Sequence, residues 1–265
     1  KKQSYFVKNF NLKSFFEDHF KKLNLKKNEH LVLHADLSTF GIIDKKIYKI
    51  VLDILIKLIG KNGTVIMPSY DLNNKKEYIY NHKKVNKNNG RLVNLFSKKS
   101  NIIKSKSLIH SHLGLGKKSF ILNKSKINKS FGKNTDFDFF VKEKFKLILL
   151  GCKPSIGATI LHHFEYEAKV PYRKKIIIIK NNLLNNNIKK IKYHYFARTK
   201  KYKFDLDKAF EKIANSAESS KKIKNKFGES YSIDLEEMRN ITIKTFKKNV
   251  NFLIKRWTFF TKNYL

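Results

Sequence analysis

Two short apolar runs, HLVLHADL at 30–37 and GTVIMPSY at 63–70, bracket the amphipathic stretch 47–59. Each run is too short for a buried helix and reads as a buried strand leading into a loop. The intervening segment repeats its apolar residues at helical spacing and stops at Gly60 and KNG. LSTFGIIDKK supplies a glycine turn between the first strand and that helix. This strand–helix–strand order points to a partly parallel sheet with helices on its faces.

The rest of the chain extends the same plan. Phe6, Phe10, Phe15, Phe16 and Phe20 mark an apolar face and predict a helix over 4–26. Residues 71–104 read as polar loops around GRLVNLF, and SLIHSHLGLG as a loop with two glycines. FDFFVKEKF reads as a helix, KLILLGC as a strand and 159–169 as a helix. KKIIIIK and IKKIKYHYFAR predict a hairpin turning at NNLLNNN. Helices are expected at 205–219 and 235–253. The fold class is α/β, with a mixed, partly parallel central sheet flanked by helices. No repeat or clean boundary divides the chain, so 1–265 is expected to be a single domain.

Composition narrows the function classes. The formal net charge is +37, from 58 basic and 21 acidic residues. Such a charge raises the possibility of an RNA- or membrane-surface-binding protein. Only Arg91, Arg173, Arg198, Arg239 and Arg256 are arginines, however, and the remaining basic residues are lysines. Readers of nucleic acid lean on arginine for bidentate contacts, so no specific nucleic-acid partner is expected. Abundant Lys, Asn, Ile, Phe and Tyr are the mark of AT-rich codons. With 41% hydrophobic residues the chain can fill a core. The single cysteine, Cys152, excludes an internal disulfide and a multi-cysteine zinc site. No signal-like segment or membrane span is evident, and a cytoplasmic location is expected.

The segment ATILHHFEYEAKVPYR at 158–173 carries the chemistry. On a helix, Leu161, Phe164 and Ala168 define an apolar face with Glu165 in its middle. His162 sits on the border of that face, three residues from Glu165 and able to touch it. His163 and Glu167 are expected to point to solvent. An inward carboxylate needs a partner, and an imidazole held at one ring nitrogen keeps the other free as a base. The same arrangement also describes a satisfied buried pair without catalysis. A metal site is not expected: His-x-x-Glu offers two ligands, and His110 and His112 lack an accompanying cluster. There is no nucleophile elbow and no phosphate-binding glycine loop. Cys152 is an alternative nucleophile, though its place after a strand favours packing. Tyr70 and Asp71, after the second strand, and the rare guanidiniums of Arg173 and Arg198 are candidate substrate contacts.

Five segments in register resemble the aminoglycoside 3-N-acetyltransferase family: LVLHADLSTFG (31–41), GTVIMPSYD (63–71), KSKSLIHSHLGLG (104–116), FGKNTDFDFF…LILLG (131–151) and GATILHHFEYEAKVPYR (157–173). The resemblance implies the family's fold and a coenzyme A-dependent N-acyltransferase, with acetyl-CoA or another acyl-CoA as co-substrate. It places the catalytic histidine on His162 and its partner on Glu165. It implies coenzyme contacts from His34, Asp36, Leu37, Ser38, Lys104, Ser105, His110 and Ser111. The chain departs from the family pattern at Ala35 and Asp36, where serines are usual, and at Lys104, where an arginine is. No carboxylate appears in KPSIGAT, just before the catalytic segment, where drug-modifying members often carry one.

Together with the positive charge, the missing carboxylate disfavours a polycationic acceptor. They favour a neutral or anionic amino sugar, such as a nucleotide-linked sugar for surface polysaccharide. Aminoglycoside acetylation giving antibiotic resistance is the alternative. The protein is expected to be a monomer or a homodimer.

Overall fold

The computed structural model describes residues 11–255, except 43, 74, 200–201 and 225–227. The elements run α1 (Leu12–Lys22), β1 (His30–Ala35), α2 (Ile47–Ile59), β2 (Thr64–Pro68), β3 (Ile79–Asn81), α3 (Arg91–Phe96), β4 (Ile103–Lys104), β5 (His112–Gly116), α4 (Asp136–Lys142) and β6 (Lys146–Leu150). They continue as α5 (Pro154–Gly157), α6 (Leu161–Glu167), β7 (Arg173–Leu184), β8 (Asn187–Arg198), α7 (Leu206–Asn215), β9 (Lys221–Lys224), β10 (Glu229–Asp234) and α8 (Leu235–Lys248).

Among the described residues, seven strands form one sheet in the order β4-β5-β2-β1-β6-β10-β9. The central β2, β1 and β6 are parallel, and the outer pairings are antiparallel. The sheet is therefore mixed and partly parallel, as the strand–helix–strand pattern required. Successive side chains of a strand face opposite sides. Leu31 and Leu33 accordingly pack with Val51, Leu55 and Phe16 from α2 and α1. Val32 turns the other way and packs with Phe140, Phe164 and Met238 from α4, α6 and α8. Both faces of the sheet are covered, which explains why its central strands are apolar throughout.

A second sheet, β3-β7-β8, carries the long hairpin. Its turn is tighter than NNLLNNN implied. The strands pair through Leu184 and Asn187, leaving Asn185 and Asn186 as the turn, both at positive φ (48° and 64°). Asparagine tolerates this left-handed conformation, and such turns match the twist of a hairpin.

Other expectations also change. The segment at 112–116 is β5 and not a loop. Its Gly114 lies where a Cβ would come within 2.7 Å of Ile66 Cδ1, so the glycine permits close strand packing. GRLVNLF contains α3. The first expected helix is α1 from Leu12; Phe6 and Phe10 lie outside the described residues. α6 is shorter than expected and ends before Lys169, whose φ is 52°. α7 and α8 end at Asn215 and Lys248, short of Ser219 and Leu253. Among the described residues, no helix is long and apolar enough to cross a membrane.

The loops leaving the carboxyl ends of β1, β2 and β6 meet at one edge of the sheet, the usual ligand crevice of open α/β sheets. Gly151, at φ 63°, closes this junction. A Cβ there would strike Thr39 Oγ1 and the Asp36 carbonyl.

Burial also sets a pH limit. Burial lowers the pKa of His19 to about 4, and those of His34 and His110 to about 3. In the unfolded chain these histidines take protons near pH 6.5, and in the folded chain they do not. Their contribution to stability is complete above pH 6.5 and is lost progressively as pH falls below it. Each adds a slope of about 1.4 kcal/mol per pH unit in that window. Thermal melting between pH 7 and 4.5 should show a steadily falling Tm.

Candidate active site

The α6 helix turns Leu161 and Phe164 into the core, and Glu165 follows them inward to 0% exposure. A carboxylate so placed requires compensation. The chain supplies it by folding back. After α6, the left-handed Lys169 and Pro171 reverse the path, and Val170 N–H donates to the Glu165 carbonyl at 3.3 Å. Arg173, the first residue of β7, then lies against the helix with its Nε 2.7 Å from Glu165 Oε2. The Nε–H is not aimed at an acceptor, so this contact is an ion pair without a hydrogen bond. Tyr172 lies beside the same carboxylate. Its phenol pKa is raised, first by burial and then by Glu165.

His162 Nδ1 lies 2.7 Å from Glu165 Oε2 and 2.8 Å from Arg173 Nη2. Both neighbours cannot be satisfied at once. A proton on Nδ1 is donated to Glu165 Oε2; without it, the Nδ1 lone pair accepts from Arg173 Nη2–H. With the proton on Nδ1, Arg173 serves the carboxylate through its Nε ion pair. This tautomer leaves Nε2 with a free lone pair, and the His162 side chain is 24% exposed.

Aromatic rings surround this group. Phe131 stands edge-on to His162, with centroids 6.2 Å apart. Phe131 also packs against His110 at 5.2 Å, whose Nδ1 meets Ser130 Oγ at 2.6 Å. The Tyr70 ring lies 5.0 Å from His110, 5.3 Å from His112 and 6.1 Å from His34. The structure thus gathers His34, Tyr70, His110 and His162 around one aromatic cluster.

The other sequence-predicted positions have more local partners. Asp36 accepts from Ser38 N–H at 3.1 Å and from the Ser38 hydroxyl, and so caps its own loop. Leu37 is buried beneath that loop. Lys104 Nζ donates to the Lys84 carbonyl at 2.6 Å and sits over the Tyr80 ring. Burial brings its pKa down to about 8. Ser105 and Ser111 are fully buried: Ser105 Oγ accepts from His112 N–H at 3.0 Å, and Ser111 donates to the Ser69 carbonyl. Asp71 accepts from the Tyr78 hydroxyl. Arg198 pairs across the hairpin with Arg173 and lies over Phe204. Cys152 is buried, and burial pushes its thiol up to about 12, which leaves it protonated and a poor nucleophile.

His163 overturns an expectation. It does not face solvent but is 1% exposed. Its Nδ1 accepts from Gly132 N–H at 3.2 Å, and its Nε2 lies 3.4 Å from Glu167 Oε1. Glu167 in turn accepts from Arg239 of α8 at 2.7 Å. A helical wheel separates the faces of α6, but the loop at 130–135 and α8 cover the face that it assigns to water.

Sequence reading also missed the pair His112–Asp136. The Nδ1–Oδ2 distance is 2.6 Å, and both side chains are buried. Ser125 donates to the other Asp136 oxygen, and His112 Nε2 faces the Tyr70 hydroxyl at 3.4 Å. The only local signal was the HSH triplet at 110–112; its partner lies 24 residues away. Among the described residues, no group of three or more His, Cys, Asp or Glu side chains is placed to hold a metal ion.

The family profile described as aminoglycoside 3-N-acetyltransferase matches residues 32–247. The chain belongs to that family and is an N-acetyltransferase by membership. The curated proteins contain no significant match. Among solved structures, YokD from Bacillus subtilis is similar with a TM-score of 0.77 and 20% identity, covering 90% of this chain and 94% of that one. AAC-IIIb in binary complex with CoASH has a TM-score of 0.77 and 15% identity, covering 91% and 97%. Sisomicin-bound AAC-VIa has a TM-score of 0.75 and 13% identity, covering 89% and 97%. At these identities the likeness establishes the fold.

The buried contacts around α6 give two expectations for unfolding in urea. His163→Ala should cost about 2–4 kcal/mol, because it opens a cavity and strands the Gly132 N–H. Arg173→Met should cost about 3–5 kcal/mol by leaving Glu165 uncompensated, and Arg173→Lys should cost less.

Proposed function

We propose that this protein transfers an acetyl group from acetyl-CoA to the amine of an amino sugar, with His162 as general base and Glu165 as its positioning partner. The observation that carries this reading is the pairing of a part-exposed imidazole with a buried carboxylate: His162 Nδ1 lies 2.7 Å from Glu165 Oε2, and the His162 side chain is 24% exposed. The acceptor amine attacks the thioester carbonyl, and a tetrahedral intermediate forms. His162 Nε2 takes the proton that the amine loses. The carbon–sulfur bond then breaks, and the imidazolium returns that proton to the leaving thiolate. The products are the amide and CoASH. Glu165, itself neutralised by Arg173, stabilises the transient imidazolium.

Coenzyme A is the natural donor for this family, and AAC-IIIb was crystallised with CoASH. We assign the coenzyme to the loop at 34–38 and to the neighbouring 104–111 segment. Both border the sheet edge where His162 opens, and the loop end at Asp36–Ser38 is held rigid by its own cap. Use of acetyl-CoA fits a cytoplasmic enzyme.

For the acceptor we favour a neutral or anionic amino sugar, including a nucleotide-linked sugar of the kind used for surface polysaccharide. The net charge of +37 repels a polycation. An aminoglycoside is the second reading, favoured by the sisomicin complex of AAC-VIa. A thiol-release assay decides between them when acetyl-CoA is crossed with nucleotide amino sugars and with aminoglycosides. Salt-sensitive RNA binding with no thiol release from any amine would overturn the enzyme reading. General-base catalysis typically contributes about 100- to 10,000-fold. His162→Ala should lose turnover on that scale while its circular dichroism stays unchanged. Near-normal turnover in the folded variant would remove His162 from the mechanism.

A further inference from the structure

Phe131, which stands against His162, also lines a groove of about 360 Å³, large enough for a sugar phosphate. Its aromatic wall is continuous with the active site. Phe131 packs on Phe196 at 6.2 Å, and Phe196 packs on Tyr166 at 5.2 Å. Tyr166 is one helical turn beyond His162. Above this wall stand Lys126, Lys129 and Lys175, and the groove contains no carboxylate.

A protein so rich in lysine has basic residues everywhere, so the carboxylates are the informative part. The other large pocket mixes Lys26, Lys144 and Lys146 with Glu29, Asp234 and Glu236. There Lys146 pairs with Glu29 at 2.7 Å and Lys144 with Glu236 at 3.5 Å. The groove lined by Phe131 has no such internal neutralisation. Its lysines also come from anchored backbone. Lys126 N–H donates to the Asn134 carbonyl, Lys129 forms a bridge with His194 of β8, and Lys175 belongs to β7. The Lys175 ammonium is held over the Tyr166 ring at 4.4 Å.

We infer that the groove formed by Lys126, Lys129 and Lys175 over Phe131, Tyr166 and Phe196 is an anion subsite that holds the phosphate or diphosphate of a phosphorylated amino-sugar acceptor, whose amine then reaches His162. The aromatic wall receives the apolar face of the sugar or its carrier, and three ammonium groups meet the phosphate oxygens. The inference rests on the N-acyl-transfer reading for its purpose, but the groove's affinity for phosphate can be measured without turnover.

The test is isothermal titration of the 265-residue chain with inorganic pyrophosphate and, separately, with CoA. Three proteins are compared: wild type, the groove variant Lys126→Gln/Lys129→Gln/Lys175→Gln, and the charge-matched α8 variant Lys244→Gln/Lys247→Gln/Lys248→Gln. Pyrophosphate affinity should fall about tenfold or more in the groove variant. It should stay within about twofold of wild type in the α8 variant, and CoA affinity should be unchanged in both. Equal losses in the two variants would show a general field effect and overturn the subsite. Parallel loss of CoA affinity in the groove variant would overturn it by giving the groove to the coenzyme's phosphates. Absence of pyrophosphate binding to the wild type would also overturn it. If no amine supports thiol release, the transferase reading fails while the pyrophosphate result stands independently.

Discussion

The charge of Glu165 organises this part of the molecule. A carboxylate with no solvent exposure cannot stand alone, and Arg173 and His162 answer it. Because Arg173 opens β7, compensation of the helix carboxylate draws the hairpin onto α6. The hairpin brings Phe196, over whose ring the Arg173 guanidinium lies. It also brings Tyr193, whose hydroxyl meets Ser130 in the loop that carries Phe131. Loop, hairpin and helix are therefore packed by contacts that radiate from one ion pair.

Three histidine–carboxylate pairs surround this region, and exposure separates their roles. His112–Asp136 is sealed on both sides and is bounded by the Tyr70 hydroxyl and by Ser125. His163–Glu167 joins the loop at 132 to Arg239 of α8. His162–Glu165 alone combines a buried carboxylate with an imidazole that reaches the surface. The same chemical couple braces the fold in two places and, in the proposed mechanism, works as a base in the third. Local dielectric and access make the difference, since a base must meet its substrate.

The inner strands and the helices between them were legible in the sequence because apolar runs and helical spacing are local properties. Several errors fell where a glycine or a turn has two uses. Gly114 reads as a loop residue, yet it serves the close approach of β5 to Ile66. NNLLNNN looks like one long turn, but cross-strand pairing absorbs all of it except Asn185 and Asn186.

At the site, the contact of His162 with Glu165 follows from a separation of three residues on a helix, and the sequence by itself determined it. Family resemblance was likewise readable from five segments in order. Tertiary structure decided the rest. Arg173 is eight residues from Glu165, and only the reversal at Lys169–Pro171 places its cation on the carboxylate. His163 appeared outward because a helical wheel knows one helix and not what packs behind it. Asp136 meets His112 across 24 residues, and Lys126, Lys129 and Lys175 converge from separate segments. Such meetings depend on how the chain closes its loops in space, and no local period encodes that.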